Sequence, residues 1–446
     1  MQPDLPAPDA TAARAPVEQA GPPVTTEPLA PVAPGERIQI LDVLRGIALF
    51  GVLAANIWLW FSGIMFRFPA YNADVWSFSP DSLAFLFIAF FISGKAITTF
   101  SFLFGLGFAV QMQRAEARGQ GIGLHHARRL AVLLLFGAIH AVLLWYGDIL
   151  MAYALLGFVL LLFRRRRDRT LLIWAAVLIV AVPVALGAVP LVMALLNPAA
   201  EGPDPAAMLT QMAERNSGLL ALFASGDPAQ IVRGNLQMLQ QQWLTPKVTF
   251  LISLFGVFLI GLFAGRRRIF EDPMAHHALL RRIMVYGFAI GVPATAVSLG
   301  LRSIPPEEFM ALTWMPLVMA ATTTIGMVPF ALAYIASATL LMQQRAWRER
   351  LLHFAPVGRM ALTNYLAQTV ICISIYYFGG LVGRAGPLFG LLLALVIFPL
   401  QMAFSAWWLA RYRFGPMEWL WRTMTYGRAQ PMRLPDSAEP LATPSV

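Results

Sequence analysis

Lysine is almost missing from this chain. Lys95 and Lys247 are its only two, so the formal charge of +10 is carried by arginine. Charged residues of all kinds fill 13% of the 446 positions, against about 25% for an ordinary soluble domain. That shortage excludes a chain solvated over its whole surface. Cysteine occurs once, at Cys372 inside an apolar run, which excludes an internal disulfide and any cysteine-spaced metal site. A Walker loop, a dinucleotide fingerprint, HExxH and GxSxG are also absent. Chemistry in this chain has to be assembled from scattered side chains.

What is present is apolar. Hydrophobic residues make up 58% of the chain and gather into ten runs, near 41–62, 82–113, 128–146, 149–163, 170–197, 247–265, 282–301, 312–341, 360–380 and 386–410. A bilayer-crossing helix needs about 20 such residues. The fold class is therefore all-α: a polytopic integral membrane protein of about ten transmembrane helices in one bundle, with the lipid bilayer as its partner. The run 82–113 is interrupted at Gly94-Lys95 and reads as one broken helix or two short ones. Loop charge arbitrates. Arginine is rich in 114–129, 164–169, 266–282, 345–359 and from Arg411, and poor in 63–81, 198–246, 302–311 and 381–385. A single crossing by 82–113 puts every rich loop on one side, with both termini cytoplasmic in a bacterial inner membrane. The same rule accounts for the basic balance without nucleic acid.

Residues 1–36 hold nine prolines and eight alanines and no apolar core. They read as a disordered cytoplasmic tail rather than a signal peptide, and 429–446 reads the same way. Between them, 37–428 forms the transmembrane domain. Its one sizeable external insertion, about 198–246, shows amphipathic helical periodicity.

Polar groups inside the spans carry the functional information, because they are costly there. In LDVLRGIALFGVLAAN, Leu41 to Asn56, the three-residue spacing pairs Asp42 with Arg45. Asn56 lies about three turns further along the same face. Lys95 sits mid-run beside Ser93, Thr98 and Thr99. His140 stands in the outer half of its span with Asp148 eight residues on. The two read as a base with an orienting carboxylate, or as a packed histidine followed by a helix-capping aspartate. Asn364 and Gln368 share a face and read as inter-helix hydrogen-bonders or as substrate lining. Asn56, Lys95 and His140 are expected on the wall of one water-accessible cavity. His125 and His126 are expected in a solvated basic loop. The aromatic stretch Phe414 to Gly427 is expected to form an interfacial helix with Glu418 paired to Arg422.

Five blocks, LDVLRGIALFGVLAAN, SGKAITTFSFLFGLGF, RRL…H…GDIL, GRMALTNYLAQ and FGPMEWLWR, together resemble the YeiB-like bacterial membrane proteins, known as domain of unknown function 418. The resemblance spans about 37–428. That family is distantly related to the transmembrane acyltransferases, both the acyltransferase family 3 type that decorates surface polysaccharides and the heparan-glucosaminide acetyltransferase type. The resemblance implies transfer of an acyl group from a cytoplasmic donor such as acyl-CoA to a lipid- or glycan-linked envelope acceptor, with no bound cofactor. In the polysaccharide enzymes a functional histidine stands eleven residues after the LRG arginine, where this chain has Asn56. An asparagine donates and accepts hydrogen bonds but is no base. That leaves His140 as base or transient acyl carrier and Asp148 as its orienter. Arg45, Asn56, Lys95, Asn364 and Gln368 remain to hold donor or substrate. Two other readings stand beside it: a transporter or channel using Lys95, His140 and Asp148 as a relay, and an assembly protein whose polar groups join helices.

Overall fold

The computed structural model describes residues 38–67, 76–117, 122–199, 204–242 and 246–434. The expected N-terminal tail, 1–36, lies outside the described residues, as does 435–446. Eighteen α-helices follow one another along the described chain: α1 Gln39–Asn56, α2 Pro80–Phe87, α3 Lys95–Ala117, α4 Ile122–Ile139, α5 Leu150–Phe163, α6 Asp168–Ala176, α7 Val182–Leu196, α8 Pro205–Ala224, α9 Pro228–Gln242, α10 Pro246–Arg266, α11 His277–Gly300, α12 Pro306–Ala311, α13 Met315–Leu341, α14 Arg345–Leu352, α15 Ala355–Arg359, α16 Ala361–Ile373, α17 Pro387–Leu409 and α18 Pro416–Tyr426. No strand occurs among the described residues beyond an isolated bridge between Tyr412 and Arg433. Among the described residues eight helical segments are long and apolar enough to cross a membrane. The shorter α5, and α16 with its continuation to Phe378, occupy the remaining two expected spans. This is an all-α polytopic membrane protein.

Helix starts follow local chemistry. Ser79-Pro80, Asp204-Pro205 and Asp227-Pro228 each set a capping side chain before a proline at the first helical position. Ser79 accepts from the Ser82 amide at 3.1 Å, Asp204 from Ala206 at 3.0 Å and Asp227 from Ala229 at 2.9 Å. The run 82–113 is broken at Ser93-Gly94, where Gly94 has φ +78°. A side chain would be strained there, and glycine is not. The break frees carbonyls that side chains then satisfy. Lys95 Nζ donates to Ala89 O at 3.2 Å and Tyr334 Oη to Phe91 O at 3.2 Å.

Helix α1 lies in the middle of the bundle, packed by α3, α15, α16 and α17. Its approach to α15 is backbone on backbone. A methyl on Gly358 would fall 1.8 Å from Asp42 O, and one on Gly46 would fall 2.2 Å from Phe354 O. The glycine of the LRG motif is therefore a packing requirement. At the periphery, α7, α11 and α17 turn Leu186, Met193, Ile290, Val297, Leu395 and Leu400 outward. Such an apolar surface belongs in lipid.

The expected insertion is the helical pair α8–α9. Phe223 of α8 is fully buried against Phe66, Tyr146 and Tyr377. The pair is thereby packed on the ends of the spanning helices. At the other terminus, residues 429–434, expected in a free tail, are held instead. Arg413 N donates to Met432 O at 2.9 Å and Trp419 Nε1 to Gln430 O at 2.7 Å. The low hydropathy of this stretch gave no hint of these backbone contacts.

Candidate functional site

Five helical stretches close with π-type turns among the described residues: 57–61, 88–92, 140–144, 177–181 and 374–378. Such turns insert one residue and re-aim the side chains that follow, often at functional sites. The third begins at His140, and the Trp145 amide bonds back to His140 O at 2.8 Å. The chain then turns through Gly147-Asp148 into α5, and Asp148 Oδ1 caps that helix by accepting the Met151 amide at 2.7 Å. Its second oxygen, Oδ2, lies 2.8 Å from His140 Nδ1. The two sequence readings of Asp148 are both present in one side chain, as cap and as histidine partner. A carboxylate only accepts, so Nδ1 carries a proton, and in the neutral ring Nε2 is the acceptor. Thr369 Oγ1 lies 3.0 Å from that Nε2. All three residues are at most 1% exposed.

The π-type turn also leaves backbone groups to satisfy. Asn235 of α9, fully buried, accepts the Tyr146 amide at 3.2 Å and donates to Val142 O at 3.1 Å. Helix α9 thus closes the turn that aims His140.

A cavity of about 440 Å³ opens between α1, α3, α4, α16 and α18, within the size range of small-molecule sites. Its two ends differ in chemistry. At the open end stand Arg45, Arg114, Arg129, Arg359, Arg413 and Arg422, with only Asp42 and Glu418 as carboxylates. Both acids are engaged. Asp42 Oδ1 takes Arg45 Nη1 at 2.7 Å. Glu418 caps α16, accepting from the amides of Leu362 at 2.7 Å and Thr363 at 3.1 Å. Its carboxylate serves α16, because the first amides of a helix are unsatisfied donors, and Arg422, one turn on, lies 4.5 Å from the Phe414 ring. Burial raises the Glu418 carboxyl above the usual glutamate range, against the hydrogen bonds from Thr363 and Leu362 that favour its charged form. Arg129 donates to Gln111 Oε1 at 2.8 Å and lies 4.2 Å from the Trp421 ring. The inner end is lined by Leu49, Val52, Ile97, Phe100, Leu103, Leu133, Ile149 and Leu150. There Tyr365 forms the wall. Its ring centroid is 5.3 Å from that of His140, and its buried hydroxyl meets the backbone of Ile149 with no side-chain partner.

The sequence-predicted residues divide. Asp42 and Arg45 line the cavity; Asn56, Lys95 and His140, expected on one cavity wall, do not line it. His140 is screened by Tyr365. Lys95 serves the Gly94 break and lies 5.3 Å from the Phe330 ring. Asn56 ends α1 where a π-type turn begins, so the face drawn from Arg45 does not continue past it. Asn364 and Gln368 tie α16 to α17: Asn364 Nδ2 donates to Ser405 Oγ at 2.9 Å and Gln368 Nε2 to Gln401 Oε1 at 2.8 Å. His126 is buried beside Phe108 and lines the cavity, because α4 starts at Ile122 and takes in the expected loop. Among the described residues no three His, Cys, Asp or Glu side chains gather as a metal site. Sequence reasoning missed Thr369, Tyr365 and Asn235. The spacing of Tyr365 and Thr369 beside Asn364 and Gln368 was a usable signal, since all four fall on adjacent turns of α16.

Fold and site define a polytopic membrane protein with a cation-mouthed, apolar-floored cavity and a buried acid–imidazole–hydroxyl chain behind it. The chain belongs to the DUF418 family of YeiB-like membrane proteins. Residues 264–428 match the family described as "Protein of unknown function (DUF418)". The uncharacterized protein YxaH of Bacillus subtilis (strain 168) is 37% identical over 91% of this chain and 98% of its own length. The uncharacterized protein YeiB of Escherichia coli (strain K12) is 30% identical over 89% and 98%. An uncharacterized 39.9 kDa protein from the amylase 3′ region of Bacillus acidopullulyticus is 29% identical over 92% and 99%. No solved structure matches the chain.

Proposed function

We propose that this protein is an acyltransferase-like enzyme of the bacterial cytoplasmic membrane. It takes an acyl group from a cytoplasmic donor such as acyl-CoA and passes it to a lipid- or glycan-linked acceptor. One observation carries the reading: six arginines ring the open end of a cavity whose inner end is apolar and stops at Tyr365, in front of His140. Guanidinium groups are the preferred partners of phosphate oxygens. An apolar floor suits an acyl chain. An amphiphile with phosphates at one end and a thioester near the other matches both halves. The cavity mouth is built from Arg114, Arg129, Arg413 and Arg422, at the ends of the arginine-rich loops, which the positive-inside rule assigns to the cytoplasm. Arg45 contacts the donor's phosphates, and His140, oriented by Asp148, is the base.

The relay reading has less support. Lys95 bonds to Ala89 O and lies over Phe330, and His140 bonds to Asp148 and Thr369. Among the described residues no run of hydrogen bonds links the two.

The test is binding to purified protein in detergent. Palmitoyl-CoA and CoA are expected to bind, and palmitate to bind far more weakly. Arg129→Gln is expected to weaken acyl-CoA binding about tenfold, the scale of one charge-assisted contact (roughly 1.5–3 kcal/mol). Equal binding of palmitate and palmitoyl-CoA would overturn the reading.

A further inference from the structure

We propose that Thr369 is the nucleophile that carries the acyl group as an oxygen ester between donor and acceptor. The proposal rests on the acyl-transfer reading above and adds to it a covalent step at a named atom.

The geometry is that of an activated hydroxyl. Asp148 Oδ2 to His140 Nδ1 is 2.8 Å, and His140 Nε2 to Thr369 Oγ1 is 3.0 Å. Nucleophile, base and orienter stand in that order at hydrogen-bond reach, the arrangement by which unrelated folds activate a hydroxyl. In the neutral ring the direction of each bond follows from the groups present. Asp148 accepts at both oxygens, from Met151 N and His140 Nδ1. The ring therefore presents a lone pair at Nε2, and the hydroxyl donates into it. The other acceptor open to that hydroxyl, Tyr365 O, is further away at 3.4 Å.

Access follows from α16. Thr369 stands one turn beyond Tyr365, whose side chain forms the inner wall of the cavity. The Tyr365 hydroxyl bonds to no other side chain and meets the backbone of Ile149. Rotation of this side chain gives up that one backbone contact and opens the end of the cavity toward Thr369.

The step balances without an added oxidant or reductant. Thr369 Oγ attacks the thioester carbonyl carbon while its proton passes to His140 Nε2. The carbon–sulfur bond breaks, and the leaving sulfur takes that proton and departs as the free thiol of CoA. In the second half an acceptor hydroxyl gives its proton to Nε2 and attacks the ester carbon. Thr369 Oγ leaves with that proton, and the hydroxyl is restored.

The experiment incubates purified full-length protein with radiolabelled palmitoyl-CoA and with acetyl-CoA. It follows thiol release and maps any adduct by peptide mass. The expected adduct is on Thr369. It resists neutral hydroxylamine and yields to alkaline hydroxylamine, unlike an acyl-imidazole on His140 or a thioester on Cys372. Thr369→Val, which keeps the shape and removes the hydroxyl, is expected to lose the adduct and to slow thiol release at least about 100-fold, the lower end of what base-assisted attack contributes. Thr369→Ser is expected to keep both within about tenfold, which separates lost chemistry from lost folding. An adduct on His140 or Cys372, or wild-type thiol release by Thr369→Val, would overturn Thr369 as nucleophile and leave acyl transfer standing. No thiol release from either probe by the wild-type protein would overturn the acyl-CoA reading and this proposal together.

Discussion

Asn235 holds Tyr146: its side-chain oxygen accepts the Tyr146 amide at 3.2 Å, from a helix 89 residues further along the chain. Its amide donates to Val142 O in the same bond pair. Asn235→Ala leaves a buried donor and a buried acceptor unpaired, which costs about 1–3 kcal/mol each. A lowered thermal midpoint in detergent is expected, with a larger loss of thiol release than of acyl-CoA binding. An unchanged midpoint would show that water replaces the side chain.

Replacing His140 separates chemistry from packing. His140→Gln keeps a hydrogen bond but exchanges no proton near neutral pH. Activity is expected to fall about 10²–10⁴-fold, while the protein inserts and accumulates. Asp148→Asn is expected to be nearly as damaging. Its oxygen keeps the Met151 cap, but an amide N–H then faces Nδ1, so the ring's proton moves to Nε2 and blocks the acceptor site toward Thr369. A fully active Asp148→Asn protein would remove the orienting role.

The α1–α15 crossing is tested at glycine. Gly358→Ala sets a methyl 1.8 Å from Asp42 O, and backbone cannot yield as a side chain does. A loss of at least about 3 kcal/mol is expected, at the upper end of overpacking costs. Gly218→Ala, in α8 with nothing within 4 Å, is the control. It is expected to be neutral or stabilising by up to about 1 kcal/mol.

Glu418 gives a pH-dependent contribution of defined sign. Its folded-state carboxyl is raised above the usual range by burial. The folded protein therefore holds the proton more tightly than the unfolded chain. The contribution is complete below the ordinary glutamate range and is lost as pH rises through the raised value. Glu418→Gln is expected to flatten this part of the stability profile and keep the bonds to Leu362 and Thr363 amides. A profile identical to wild type would refute the assignment.

Orientation is tested by reporter fusions. A fusion after Arg167 is expected to report cytoplasm, and one near Gly226, in the α8–α9 turn, the outside. A cytoplasmic signal at Gly226 would invert the assignment of the arginine-lined mouth.

The spans were legible because a helix in lipid must be apolar for about 20 residues, and the ten runs say so directly. The pairing of Asp42 with Arg45 was legible because it is local. The rest of the site is not local. Thr369 meets His140 across 229 positions, and its spacing beside Asn364 and Gln368 marks a polar turn without naming that partner. Asn235 sits in a stretch whose periodicity announced only an amphipathic helix. The faces drawn at 3.6 residues per turn held until a π-type turn, after Asn56 and at His140, shifted them by a residue. Lys95 appeared functional because a mid-run lysine is costly, but the carbonyl of Ala89 freed by the break explains its position.

Helix α16 is fastened along its length: Glu418 at its start, then Ser405 and Gln401 of α17 through Asn364 and Gln368. Sliding or tilting it would break all of these bonds at once. Tyr365, on the same helix, has no side-chain tie at its hydroxyl. Opening the inner wall is thus a motion of one ring on a fixed rail. On the acyl-transfer reading, the donor reaches Thr369 by displacement of one side chain, and the helix that carries the hydroxyl keeps its place while the wall opens.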